Sequence, residues 1–247
     1  MAYWQRAGQY ALDRSAYTEA IAHLSKGLEV LRTLPNTAAH LQRELDLLAL
    51  RGPALMAASG YGTPEVEETY ARARQLCAQM GETPYLFPVL RGLWSFYFVR
   101  AELPTASALA QQLLRLSDAL HDRSRLVVAS YTVGATLFHR GALREARVYL
   151  ERGNHLYAAD TCRSDNTISI DHGITCLLGT SWVLHILGYP DQALQKSRAA
   201  LQLAQDMVHP FGSAVALSWA ARLHQFRREP HVVQELAEAG LSHKKIL

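Results

Sequence analysis

The chain has 247 residues, 49% hydrophobic and 19% charged, a balance that supplies a continuous core and excludes a disordered chain. The formal charge is +3, and no basic run stands out beyond Lys244-Lys245, so a clustered nucleic-acid surface is not indicated. No stretch approaches the roughly 20 apolar residues needed to span a bilayer, and Met1-Ala2-Tyr3-Trp4-Gln5-Arg6 lacks the pattern of a secretion signal. Cys77, Cys162 and Cys176 form no C-x-x-C motif, so a reduced, cytoplasmic, membrane-free setting is expected.

Helical periodicity recurs in pairs along the chain. Tyr3 to Arg14 and Thr18 to Leu34 read as two helices around a turn at Ser15-Ala16-Tyr17, stopped near Pro35. A longer helix, about Thr37 to Ser59, contains Pro53, which is expected to bend it. Gly60-Tyr61-Gly62 makes the next turn, where Thr63 suits a cap, Pro64 the first helical position, and Glu65, Glu67 and Glu68 the helix N-terminus. A third pair is broken at Glu102-Leu103-Pro104, and a fourth at Arg140-Gly141-Ala142. The polar stretch from Ala158 to Asp171 carries Asp160, Ser164, Asp165 and Asn166 and reads as an inserted loop. Helical pattern resumes at about Ile174, turns at Gly188-Tyr189-Pro190 with Asp191 as the expected cap, and turns again at Arg228-Glu229-Pro230.

These pairs share a register. Gly8, Ala20 and Gly27 have the same mutual spacing as Gly134, Ala146 and Gly153, small residues that let two helices approach closely while Leu137, Leu143 and Leu150 fill the space around them. The middle position falls at 20, 66, 106, 146, 193 and 233, giving intervals of 46, 40, 40, 47 and 40. In the third pair the register gives Trp94, Ala106 and Leu113, which loses two of the three small positions. One hairpin cannot bury its own apolar face, so a stack is required. The expected fold is all-α, a right-handed α-solenoid of about six hairpins in one domain spanning 1–247: about 3–34, 37–81, 85–120, 124–157, 173–207 and 211–241, with a loop over 158–172.

Trp4, Gly8, Ala20, Leu24 and Gly27, with Gly134, Leu137, Ala146, Leu150 and Gly153, resemble tetratricopeptide repeats. The period near 40 exceeds the usual 34 and also admits HEAT or armadillo repeats, but the small-residue triplet and the Pro35 stop favour tetratricopeptide hairpins, and the longer helices make the chain similar to the maltose-regulator-like branch. The phrases Glu19-Ala20-Ile21-Ala22-His23-Leu24, Gly52-Pro53-Ala54-Leu55-Met56, Tyr70-Ala71-Arg72-Ala73-Arg74, Gly188-Tyr189-Pro190-Asp191-Gln192-Ala193-Leu194 and His209-Pro210-Phe211 are similar to the C-terminal repeats of large bacterial signalling proteins. There a class III nucleotide cyclase or a DNA-binding output domain is joined to a STAND-type ATPase and then to such repeats. The resemblance implies a sensor or scaffold segment without catalytic residues or cofactor. The ending Ser242-His243-Lys244-Lys245-Ile246-Leu247 departs from the helical continuation it implies.

The sequence lacks G-x-x-x-x-G-K-S/T, H-E-x-x-H and G-x-S-x-G, so the simplest nucleotide-binding, metalloprotease and serine-hydrolase readings fall away. The best metal-like set is His172 and Cys176, four apart on one helical face, with Cys162, Asp171 and His185 as further candidates. A metal-dependent enzyme built on it is the alternative function; a helix-start histidine and a buried cysteine is the simpler reading.

The first helix of each hairpin is expected to line a concave groove. Carried through the register, the lining becomes Arg91, Ser95, Phe98, Tyr131, Ala135, Phe138, Trp182, His185, Arg222 and Gln225. Aromatic anchors beside Arg and Gln suit a protein or peptide segment, or a small-molecule effector. The competing reading makes Phe98, Phe138 and Trp182 ordinary core between repeats. A third possibility is self-association: Val232, Val233 and Leu236 would pair two chains as a homodimer through the last hairpin. The Arg72/Arg74 and Arg144/Arg147 pairs read as solvated outer faces, with no direct nucleic-acid role.

Overall fold

A computed structural model describes residues 2–35, 37–81, 83–157, 171–207 and 210–244. Among them are twelve α-helices: α1 (Ala2–Asp13), α2 (Tyr17–Arg32), α3 (Ala38–Ser59), α4 (Pro64–Met80), α5 (Leu86–Val99), α6 (Leu103–Ala119), α7 (Arg123–His139), α8 (Leu143–Leu156), α9 (His172–Ile186), α10 (Pro190–Asp206), α11 (Pro210–Phe226) and α12 (Pro230–Lys244). They form an all-α solenoid of helical hairpins, grouped into two compact units, Met1–Leu113 and Leu114–Leu247. Within the first unit α1 packs on α2 and also on α3, and α3 packs on α5; within the second, α7 packs on α8 and α9, and α9 on α11. In α1, α7 and α9 the first helix of a hairpin thus contacts both its partner and the first helix of the next hairpin in the same unit, which lines up side chains at equivalent register positions.

A common turn sets the register. Ala101, Gly141, Gly188 and Arg228 have φ of 59°, 79°, 89° and 59°, and Ser15 has 58°. Each sits just past a first helix and closes it in the same way. The Gly141 N–H donates to the Phe138 carbonyl and the Ala142 N–H to the Leu137 carbonyl, both at 3.0 Å. The same pair of bonds recurs at Ser15 and Ala16, at Ala101 and Glu102, at Gly188 and Tyr189, and at Arg228 and Glu229. This arrangement satisfies carbonyls that a helix end leaves unpaired. The carbonyls of Ala16, Glu102, Ala142, Tyr189 and Glu229 then accept the N–H of Ala20, Ala106, Ala146, Ala193 and Val233, which starts each second helix at the position the sequence register marks. The second hairpin differs. Its left-handed residue is Gly60, at φ 90°, in a wider turn where the Thr63 carbonyl accepts from Val66.

Complementary volumes close the hairpins. A Cβ added at Gly134 would lie 2.6 Å from Leu150 Cγ, and one added at Gly8 would lie 2.6 Å from Leu24 Cγ. The two leucines stand sixteen residues after their glycines and are fully buried, each worth about 2 kcal/mol of apolar burial. In the third hairpin the volumes exchange: Trp94 takes the glycine position and Ala110 the leucine position, both buried. In the second, Ala54 is matched to Tyr70, whose buried ring lies between two glycines; a Cβ at Gly52 or Gly92 would approach it to 2.4 or 2.3 Å.

Three sequence expectations need correction. Asp191 is not the cap of α10: Tyr189 holds that position, Pro190 follows it, and Asp191 lies in the first turn, where its charge complements the helix N-terminus. Asp171 and His172, assigned to the loop, belong to α9 as its cap and first residue; positions 158–170 of that loop lie outside the described residues. The last helix continues to Lys244, past the expected end near Leu241.

Candidate functional site

The second unit brings the first helices of three hairpins together, and their register positions define the candidate site. Ala135 on α7, Trp182 on α9 and Arg222 on α11 occupy one column; Phe138, His185 and Gln225 occupy the next. Trp182 is buried, 6% exposed, and its indole N–H donates to the Trp219 carbonyl at 3.1 Å, tying α9 to α11. Its ring packs against Phe138 (centroids 6.1 Å apart) and against Trp219 (5.0 Å). Above this floor lies the Arg222 guanidinium, 4.8 Å from the Trp182 centroid and 5.8 Å from that of Phe226. His185 stacks on Phe226 at 6.2 Å with the ring planes 8° apart, and its Nδ1 is buried without a hydrogen-bond partner.

Arg222 is exposed although it is in ring contact. Stacking on aromatic faces holds a guanidinium through dispersion and the ring quadrupole while leaving its in-plane N–H donors available. Of the second-unit residues expected to line a groove, Arg222 and Gln225 are exposed, Phe138 and His185 half-buried, and Tyr131, Ala135 and Trp182 buried at 6%, 8% and 6%. Tyr131 packs between His172 (5.8 Å) and Trp219 (6.4 Å). Of these buried members Trp182 touches Arg222 directly, and Tyr131 lies against Trp219, which packs on Trp182.

Two members of this site were not singled out in the sequence: Trp219 and Phe226. A signal was present. They lie three residues before and four residues after Arg222, on the same face of α11.

In the first unit, Arg91, Ser95 and Phe98 all lie on α5. The Arg91 guanidinium sits 4.7 Å from the ring centre of Trp94, its own neighbour one turn on, and donates to the Ser95 hydroxyl, which in turn donates to the Arg91 carbonyl at 3.1 Å. Trp94 stacks on Phe98 at 4.7 Å. Ser95 and Trp94 are buried; Arg91 and Phe98 are half-buried. This stack is built from side chains of one helix.

The metal-like set separates on inspection. Cys176 is fully buried, its Sγ occupying space that a side chain at Gly153 would need (2.5 Å from the ideal Cβ), and burial pushes its thiol pKa strongly upward. Such a thiol is a packing group rather than a ready thiolate. Asp171 uses its carboxylate to cap α9, accepting from the N–H groups of Gly173 (2.8 Å) and Ile174 (3.3 Å), and accepts the Tyr157 hydroxyl at 3.0 Å. His172 turns to the Tyr131 ring. Cys162 lies outside the described residues, and among those described no group of three or more His, Cys, Asp or Glu gathers to hold a metal. At the last hairpin, Val232, Val233 and Leu236 are half-buried, and Leu236 packs against the α9–α11 core.

No protein-family model matches the chain. No curated protein matches it either. Solved structures do share its fold. A STAND protein with a tetratricopeptide repeat sensor from Pyrococcus horikoshii superposes with a TM-score of 0.66 at 10% identity, covering 97% of this chain and 36% of that one. BtubC from P. vanneervenii gives 0.62 at 12% identity, with 96% and 92% covered. A Podosopora anserina chain of nearly identical TPR-like repeats gives 0.59 at 16% identity, with 81% and 93% covered. At these identities the likeness establishes a tetratricopeptide-like fold. No described helix is long and apolar enough to cross a membrane.

Proposed function

We propose that this chain is a non-catalytic interaction module that binds a protein or peptide segment on the exposed face of α7, α9 and α11. The observation that carries the reading is the cross-helix stack of Arg222 on Trp182 and Phe226. A buried ring, Trp182, and a partly covered one, Phe226, hold an exposed cation in place, the composition of binding hot spots, because little side-chain entropy remains to be lost on association. In tetratricopeptide-like solenoids generally, the fold serves as a scaffold for such contacts. The likeness to the repeat sensor of a larger STAND protein, of which this chain spans about a third, supports a sensing segment attached to an ATPase. The sequence resemblance to repeats linked to class III cyclase or DNA-binding output domains points the same way.

The test is site-directed photo-crosslinking. A crosslinking amino acid replaces Phe226 in one variant and Val148, exposed on α8, in another. The segment captured at 226 is identified, synthesised and titrated against the chain and against Arg222→Ala. The synthetic segment is expected to bind, and to lose about tenfold or more in affinity with Arg222→Ala. Equal capture at both positions, or unchanged affinity, would reject the reading.

A further inference from the structure

The first helices of the second unit contain no carboxylate. Neither α7 nor α9 nor α11 carries a single Asp or Glu, whereas α8, α10 and α12 carry Glu145 and Glu151, Asp191 and Asp206, and Glu235 and Glu238. The acids nearest the first helices, Asp122 and Asp171, sit at the N-caps of α7 and α9, where each accepts backbone N–H bonds. The opposite ends are basic: His139 and Arg140 at the end of α7, His185 on α9, and Arg222, His224, Arg227 and Arg228 on and after α11. Glu229, the carboxylate at that end of the last hairpin, is already engaged by Arg227 at 2.9 Å and His224 at 2.6 Å. Among the described residues, no carboxylate lies within ion-pair distance of Arg222.

We infer that the segment bound at this face is acidic, with a carboxylate meeting the Arg222 edge and an adjacent apolar or aromatic side chain resting on Phe226 and Phe138. The inference rests on the interaction reading above and specifies its chemistry. Two rings fix the guanidinium in orientation, so its in-plane fork is set for the two-point hydrogen bond that a planar carboxylate makes. α9 is uncharged apart from its histidines, and Arg227 is paired with Glu229, so the charge at this face is set by Arg222 with no carboxylate on α7, α9 or α11 to offset it, which favours acidic chains over basic ones. The exposed Phe226 and Ile186, 37% and 48% accessible, give the neighbouring side chain an apolar surface.

Fluorescence polarisation with labelled polymers tests this on the full chain. The probes are a glutamate–tyrosine copolymer, a lysine–tyrosine copolymer and polyuridylate. The glutamate–tyrosine copolymer is expected to bind about tenfold tighter than either other probe, and more weakly as salt rises. Arg222→Gln should lower that affinity about tenfold, Arg222→Lys should restore it only in part, and Arg144→Gln, on the outer face of α8, should leave it unchanged. Thermal unfolding of each variant checks that it is folded. Absence of copolymer binding, tighter binding of polyuridylate, or indifference to Arg222→Gln in the folded variant would overturn the inference. If a neutral or basic segment is crosslinked at position 226 and depends on Arg222, the interaction reading stands and the acidic chemistry alone falls.

Discussion

Each compact unit contains an arginine lying over a tryptophan at nearly the same distance, 4.7 Å for Arg91 on Trp94 and 4.8 Å for Arg222 on Trp182. The two stacks do different things. Arg91 reaches a ring three residues along its own helix, spends a donor on Ser95, and is half-buried. Arg222 reaches a ring on the neighbouring helix, takes Phe226 as a second support, and stays exposed. A cation–π distance therefore says little about role. What distinguishes a packing cation from a recognition cation is whether the guanidinium stays exposed and whether the rings beneath it come from one helix or several.

The contrast predicts that substitutions around α5 change stability and those around α11 change binding. The largest effect should come from Gly92→Ala, on the same helix as Arg91. Its new methyl would meet the Tyr70 ring, which cannot retreat because Gly52 lies on the other side, and the cost should be about 3 kcal/mol in denaturant unfolding. Arg91→Ala should cost about 1–2 kcal/mol, mainly through lost packing on Trp94, whereas Arg222→Ala should stay within about 0.5 kcal/mol of the parent.

Acid titration sharpens the comparison further. Arg227 first, and then His224, hold the Glu229 carboxyl down at about 2, below its ordinary value. A depressed carboxylate stabilises the fold above the unfolded-state pKa of about 4.3 and loses that contribution as pH falls through the folded value. The difference in melting temperature between the parent and Glu229→Gln should therefore be complete at neutral pH and fade between about pH 4 and pH 2. A difference that persisted unchanged below about pH 2 would show that Glu229 is not held by Arg227.

The smallest effect concerns the shared turn. Ala101 adopts the left-handed conformation that Gly141 adopts at the equivalent position, and Gly141 has open space where a Cβ would stand. Ala101→Gly should gain up to about 1 kcal/mol, and Gly141→Ala should lose a similar amount through backbone conformation alone. Paired melts of the two variants would measure it.

The hairpin register was legible from the sequence because turn and core obey one spacing. Small residues at Gly8 and Gly134 mark where Leu24 and Leu150 must fit. Trp94 looked like a break in that rule and is instead its inverse, since Ala110 now supplies the small partner. The site was only partly legible. Periodicity brought Trp182 and Arg222 into one column but could not say that Trp182 would be covered by Trp219, because burial depends on which side chain crosses from the next helix. Net charge hid the electrostatics too: a whole-chain total of +3 does not show that the second unit's first helices are free of acids while its second helices carry them. Reading charge helix by helix recovers the segregation.

The most direct measurement compares Arg91→Ala and Arg222→Ala in one pair of assays, unfolding free energy and affinity for the segment crosslinked at position 226. The account predicts a double dissociation, with Arg91→Ala weakening the fold at unchanged affinity and Arg222→Ala weakening affinity about tenfold at unchanged stability. If both variants lost stability and neither lost affinity, the Arg222 stack would be packing, and the claim of a recognition surface on α7, α9 and α11 would be contradicted.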